Sequence, residues 1–204
     1  MIRVERIAEP EGFDVRCRQM GGHWLATHPR PADLGTWRPY KYWGQFLPQL
    51  RAAFHERCGY LGMWISSGTV DHFESWAGAG GVAKAYEWSN YRYADSAVNS
   101  AKKPAWDGML LDPFEVDDGW FEVDLPSCLL RIVEDLVPPE LLPRVRFTID
   151  RLGLDDGEDV VALRREWLRM HEEDGLSLDG LRRKAPLVAS AVERRNARGA
   201  TPTT

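Results

Sequence analysis

Long apolar runs are missing from this chain of 204 residues, although 44% of them are hydrophobic and 28% charged. No stretch approaches the roughly 20 consecutive apolar residues that a helix needs to cross a bilayer, and the balance is that of an ordinary folded protein rather than a disordered one. The length suits one compact domain. The first residues, MIRVERIAEPEGFDVRCRQ, mix charges of both signs and have no apolar segment followed by small residues. They do not read as a signal peptide, and a cytoplasmic location is the expectation. Cysteine pairs are absent too: Cys17, Cys58 and Cys128 lie far apart and form no Cys-x-x-Cys, so reduced thiols are expected. Nor is there an excess of positive charge, because 26 Lys and Arg face 31 Asp and Glu for a net charge of −5. That opposes unaided binding to a polyanion, and any nucleic-acid role then depends on local patches or on a partner. Repeats and low-complexity blocks are lacking. The glycine-rich run Ala77-Gly78-Ala79-Gly80-Gly81 has neither dinucleotide-binding spacing nor the Lys-Ser/Thr ending of a phosphate loop. Tryptophan, by contrast, is abundant at nine residues, which reads as large buried contact area rather than a base-stacking platform.

Along the chain, residues 1–39 carry Gly21-Gly22, Pro29, Pro31 and Gly35 without apolar periodicity and read as an irregular arm. Trp43, Phe46, Leu50 and Phe54 follow helical spacing, predicting a helix over about 40–57 with Pro48 as a kink. Met63-Trp64-Ile65 and Thr69-Val70 flank Ser66-Ser67-Gly68, predicting a β-hairpin that ends at Asp71-His72. A loop over 74–89 leads to a short strand around Tyr91-Arg92-Tyr93, then to a helix capped by Asp95 or Ser96 and stopped by Pro104. Trp120 to Leu125 reads as a strand, and Pro138-Pro139 opens a helical stretch toward Leu152. Val160, Leu163, Trp167 and Met170, and then Leu178, Leu181, Ala185, Val188 and Val192, predict a pair of helices separated at Gly175. The chain thus divides into the arm, a mixed region over 40–125, a helical region over 126–195 and a frayed tail over 196–204.

The chemistry-bearing residues cluster in the mixed region. Thr69-Val70-Asp71-His72-Phe73 is followed by the glycine-bearing loop, then Glu87-Trp88-Ser89-Asn90, then Val98-Asn99-Ser100-Ala101-Lys102-Lys103, with eight residues between Asn90 and Asn99. Over about residues 58–104 this resembles the HNH endonuclease motif in its His-Asn-Asn form. The wider phrases Gly68 to Phe73, Ala85 to Tyr91 and Leu110-Leu111-Asp112-Pro113-Phe114 are similar to a narrower group, the HNH proteins found with retrons and in Septu-type anti-phage systems. The resemblance implies an α+β fold with a ββα-metal (HNH) core embedded in a mainly helical domain. It also implies an ATPase partner within a defence complex.

Phosphodiester hydrolysis needs an activated water, neutralised phosphate charge and a stabilised leaving oxygen. In the HNH frame His72 takes the proton of the attacking water, and Asp71 and Asn99 hold Mg²⁺, or Mn²⁺, through hard oxygens. Asn90 fixes the loop and keeps His72 in register. Lys102 and Lys103 follow on the same helix and are candidates for contact with DNA phosphates, with a solvated helix end as the alternative. Double-stranded DNA is the expected substrate, and an RNase or nicking enzyme is a third reading that uses the same residues. Many HNH proteins also brace this region with zinc held by two Cys-x-x-Cys pairs. Here only Cys58 has a thiol, with Leu61, Asp95 and Val98 at the other three positions, so no structural zinc is expected and an apolar contact of Leu61 with Val98 takes its place. That loss motivates a rival reading, a scaffold subunit that keeps the HNH frame without catalysis. His23, His28, His55 and His171 have no partners at metal-ligand spacing, and Asp155 to Asp159 suits a helix N-terminus rather than a calcium loop. The Arg182-Arg183-Lys184 and Arg194-Arg195 clusters read as solvated helix faces, with a DNA track as the alternative.

Overall fold

The computed structural model describes residues 1–28, 34–78 and 81–199. Pro29 and Pro31 of the arm, Ala79 and Gly80 of the glycine run, and the tail from 200 onward lie outside the described residues. The architecture is α+β, with two separate two-stranded antiparallel sheets among the helices. No described helix is long and apolar enough to cross a membrane.

The arm is not irregular. A π-helical turn over Asp14–Gln19 runs directly into α1, Met20–Thr27, and Phe13, Cys17 and Trp24 are buried. Gly21, read as a breaker, is a point of close approach: a Cβ there would lie 2.2 Å from the Tyr86 ring. Burial of α1 against that ring outweighs the helix-weakening effect of two glycines. A four-residue helix, α2, covers Leu34–Trp37. The helix expected over 40–57 is shorter, a 3-10 turn over Tyr42–Phe46 followed by α3, Leu47–Ala53. Pro48 sits in the first turn of α3, where its missing N–H has no partner to lose, so it starts the helix instead of kinking it.

The hairpin expected at 63–70 does not form. Thr69–His72 is β1, and its partner is β2, Tyr91–Ala94, with Thr69 opposite Ala94 and His72 opposite Tyr91. Trp64 instead makes an isolated bridge to Arg57. All four residues of β2 are buried and pair with β1, while the 63–65 segment, with Met63 and Ile65 buried, makes backbone hydrogen bonds to residues 56–58 instead. Asp95 caps α4, Ser96–Ala101, by accepting from the backbone N–H groups of Ala97 and Val98 at 2.8 and 3.4 Å. The order β1, β2, α4 is therefore a ββα unit, with α4 packed on β1.

Phe121–Asp124 forms β3 and pairs with β4, Leu129–Ile132, a strand that local patterning did not announce. α5, Leu142–Arg151, begins four residues beyond Pro138. α6 covers Glu158–Glu172. The last apolar run is two helices, α7, Leu178–Lys184, and α8, Pro186–Gly199, because Pro186 disfavours helical geometry at Ala185. Of the tail expected to fray over 196–204, residues 196–199 belong to α8, and the rest lies outside the described residues. Arm, mixed region and C-terminal helices share one buried cluster, from Phe13 and Trp37 through Tyr91 and Tyr93 to Val188 and Val192.

Candidate active site

Alternation along β1 sends neighbouring side chains to opposite sides. Asp71 points inward and is 1% exposed, and His72 is half-buried in the wall of a cleft of about 580 Å³. The cleft is also lined by Trp37, Trp43, Trp76, Lys41, Asn99, Lys102, Lys103 and Asp107.

The imidazole is held by its Nε2, 2.9 Å from the carbonyl oxygen of Ala85. That carbonyl also accepts from the Tyr91 hydroxyl at 2.8 Å. A carbonyl only accepts, so Nε2 carries the proton and Nδ1 keeps its lone pair. Nδ1 has no hydrogen-bond partner among the described residues. The ring stands edge-on to Trp43 and Tyr91, with centroids 4.7 and 5.1 Å away. Burial among these rings lowers the His72 pKa from 6.5 to about 4, against the opposing pull of the Ala85 hydrogen bond and Asp71 and with help from Lys102 and Lys41. The imidazole is neutral throughout the physiological range.

Asn90 ties the long loop to the sheet. Its Oδ1 accepts from the Glu74 N–H at 2.8 Å, and its Nδ2 donates to the carbonyls of Glu74 and Lys84 at 3.0 and 3.2 Å. Lys84 precedes Ala85, so these bonds set the carbonyl that holds His72. Asn99, on α4, donates from Nδ2 to Thr69 Oγ1 at 3.0 Å and makes a long contact to the Val70 carbonyl at 3.5 Å.

Lys102 is not where the sequence placed it. Its side chain is 8% exposed, and Nζ donates to both oxygens of Asp71 at 2.7 Å. It also donates to Tyr60 Oη at 3.0 Å and the His72 carbonyl at 3.2 Å. A buried ammonium so paired cannot serve as a surface phosphate contact, because the low-polarity surroundings strengthen its bond to the carboxylate. Lys103 does face solvent at the cleft, with Nζ 5.4 Å from the centre of the Trp106 ring.

Asp71, expected as a metal ligand, is likewise spoken for. Besides Lys102 it accepts from Tyr60 Oη at 2.7 Å. Burial, and then the Asp71 charge, push the Tyr60 pKa well up, which keeps that hydroxyl a donor. A Mg²⁺ ion binds oxygen at about 2.0–2.1 Å, and it or Mn²⁺ needs the space that the ammonium fills. Among the described residues no group of three His, Cys, Asp or Glu is placed to hold a metal. As arranged, the residues do not fit a divalent ion.

The four positions compared with a zinc brace lie on the turn at Cys58 and the start of α4. Cys58 Sγ accepts from the backbone N–H of Leu61 at 3.5 Å and of Asp95 at 3.3 Å, and Cys58, Leu61 and Val98 belong to the same buried core. Only one thiol is present there, and the Asp95 carboxylate is used as the α4 cap. Neither a protein-family model, nor a curated protein, nor a solved structure matches the chain.

Asp107 is a cleft residue that sequence reasoning missed. Both its oxygens lie 3.1 Å from the Ser75 N–H, and burial raises its pKa. Its only local signal is an Asp-Gly turn, with Gly108 at φ 77°, which says nothing of a site. Elsewhere the C-terminal basic clusters are partly paired: Arg182 with Asp179 and Glu193, Arg194 with Glu122 and Arg195 with Glu172, while Lys184 lies 4.0 Å over the Trp64 ring. Glu158 and Asp159 occupy the first turn of α6. The three cysteines are free and buried.

Proposed function

We propose that this chain is a DNA endonuclease of the HNH type, with His72 as the general base for phosphodiester hydrolysis. The observation that carries the reading is the imidazole tautomer. Nε2–H is anchored on the Ala85 carbonyl, which leaves a neutral Nδ1 with its lone pair, on a ββα unit beside an open cleft. Nδ1 takes a proton from water, the water oxygen attacks phosphorus, and the 3′ oxygen leaves. Lys41 and Lys103 line the same cleft and offset phosphate charge. Asn90 acts at one remove, by holding the loop that carries the Ala85 carbonyl.

The resemblance to Septu-type and retron-associated HNH proteins extends the proposal to a cytoplasmic nuclease effector of anti-phage defence working beside an ATPase. A net charge of −5 agrees with a partner that supplies DNA affinity. The scaffold reading keeps one observation in its favour, the Lys102 ammonium seated on the carboxylate that an HNH metal would use.

Cleavage of supercoiled and linear DNA, single-stranded DNA and RNA in Mg²⁺, Mn²⁺ or EDTA separates the two, with and without the co-encoded ATPase. Cutting that is lost in His72→Ala, with the fold intact by circular dichroism, supports the nuclease. No cutting under any condition, together with an unchanged biological phenotype in His72→Ala, leaves the scaffold. Full activity without any neighbour removes the partner.

A further inference from the structure

The Asp71 carboxylate already carries a cation, and it is part of the chain. Lys102 Nζ meets Oδ1 and Oδ2 at 2.7 Å, Tyr60 Oη at 3.0 Å and the His72 carbonyl at 3.2 Å. An ammonium with three donors, ringed by a carboxylate, a hydroxyl and a carbonyl, makes much the same demand on oxygen as a hard metal ion. The two cannot share the carboxylate. We infer that Lys102 is the resident cation of this site and that a divalent metal reaches Asp71 and Asn99 only by displacing its ammonium.

The local geometry permits that exchange. Lys102 ends α4 with extended backbone angles, φ −63° and ψ 140°, so its stem leaves from a helix end rather than from within one. The residue also lines the cleft, the direction in which a change of its side-chain rotamer would take the ammonium away from Asp71. Lys102 is thus a positioning residue that decides whether the cleft carries metal.

This inference rests on the HNH reading for its choice of ligands, but its test involves no cleavage. Mn²⁺ binding to the full chain is followed by electron paramagnetic resonance near neutral pH without nucleic acid, for wild type, Lys102→Met and Lys102→Met/Asp71→Asn. Lys102→Met is expected to bind one Mn²⁺ about a hundredfold more tightly than wild type, and the double variant is expected to lose that gain. Equal affinity of wild type and Lys102→Met overturns the inference. So does a folded Lys102→Met protein that binds no Mn²⁺, or a gain that survives Asp71→Asn. A wild-type measurement covers the case in which Lys102→Met fails to fold. Among the five lysines, the buried Lys102 ammonium gives a ¹⁵N signal protected from exchange. On titration with Mg²⁺ that signal is lost in step with metal uptake, or persists with no metal taken up; Mg²⁺ uptake at Asp71 with the signal unchanged overturns the inference. Failure of DNA cleavage leaves these results standing, and failure here leaves the role of His72 untouched.

Discussion

Asn90→Ala removes three hydrogen bonds at once: 2.8 Å from the Glu74 N–H, 3.0 Å to the Glu74 carbonyl and 3.2 Å to the Lys84 carbonyl. Asn90 is 5% exposed, so the groups left behind gain water only if the loop opens. At about 1 kcal/mol net for each bond, the variant loses about 3 kcal/mol of stability, measured by urea unfolding. The loss is local. Hydrogen exchange over residues 74–85 should speed up far more than over β1 and β2, because the sheet keeps its own ladder. The Ala85 carbonyl sits next to the freed Lys84 carbonyl, so the hold on His72 loosens and its pKa, read by NMR, rises from about 4 toward 6.5. Asn90→Asp gives an independent check, since a carboxylate in this place faces two carbonyls. That repulsion raises the carboxyl pKa in the folded state. The unfolded chain then ionises first, and the variant loses stability as pH rises. A loss below about 1 kcal/mol in Asn90→Ala, with unchanged exchange over the loop, would refute the claim that this side chain sets the position of His72.

Three further outcomes are expected. His72 should stay neutral down to about pH 4 by NMR titration. Between the unfolded value of 6.5 and about 4 the unfolded chain binds the extra proton, so stability falls as pH falls through that window, and the fall should be shallower in His72→Asn; equal slopes would contradict the burial argument. Arg92→Met breaks a pair whose side chains are 2% and 8% exposed and leaves Asp112 without the guanidinium that meets it at 2.7 and 2.5 Å. Urea unfolding should show a loss of about 3–5 kcal/mol, and a loss under about 1 would mean that water reaches Asp112. Leu61→Cys/Asp95→Cys/Val98→Cys, with Cys58, rebuilds two Cys-x-x-Cys pairs where the turn and the start of α4 already meet. The variant should bind one Co²⁺ with a tetrahedral thiolate spectrum, and absence of that spectrum in folded protein would mean that the region does not share the zinc-braced layout.

Much of the local structure was written in short stretches of sequence. The strand at Tyr91 to Tyr93, the Asp95 cap of α4 and the strand after Gly119 follow from alternation and from a carboxylate beside free N–H groups, signals that act within a few residues. Gly21 misled because its close approach to Tyr86 is a contact across 65 residues, invisible to any local window. β4 was missed for a related reason: its pattern is weak, and the strand is held by β3 across a turn with Cys128 at φ 59°.

The sequence by itself put Asp71 and His72 on a strand end, Asn90 before the next strand, and Asn99 and Lys102 on and just after the short helix. It could not determine their partners. The tertiary structure decided that β1 pairs with β2 and not with residues 63–65, that Lys102 turns inward to Asp71, and that Asp107 joins the cleft. The reason is burial. Spacing along the chain sets the direction of a side chain, but the strength of a charge pair depends on how much water the rest of the fold removes around it.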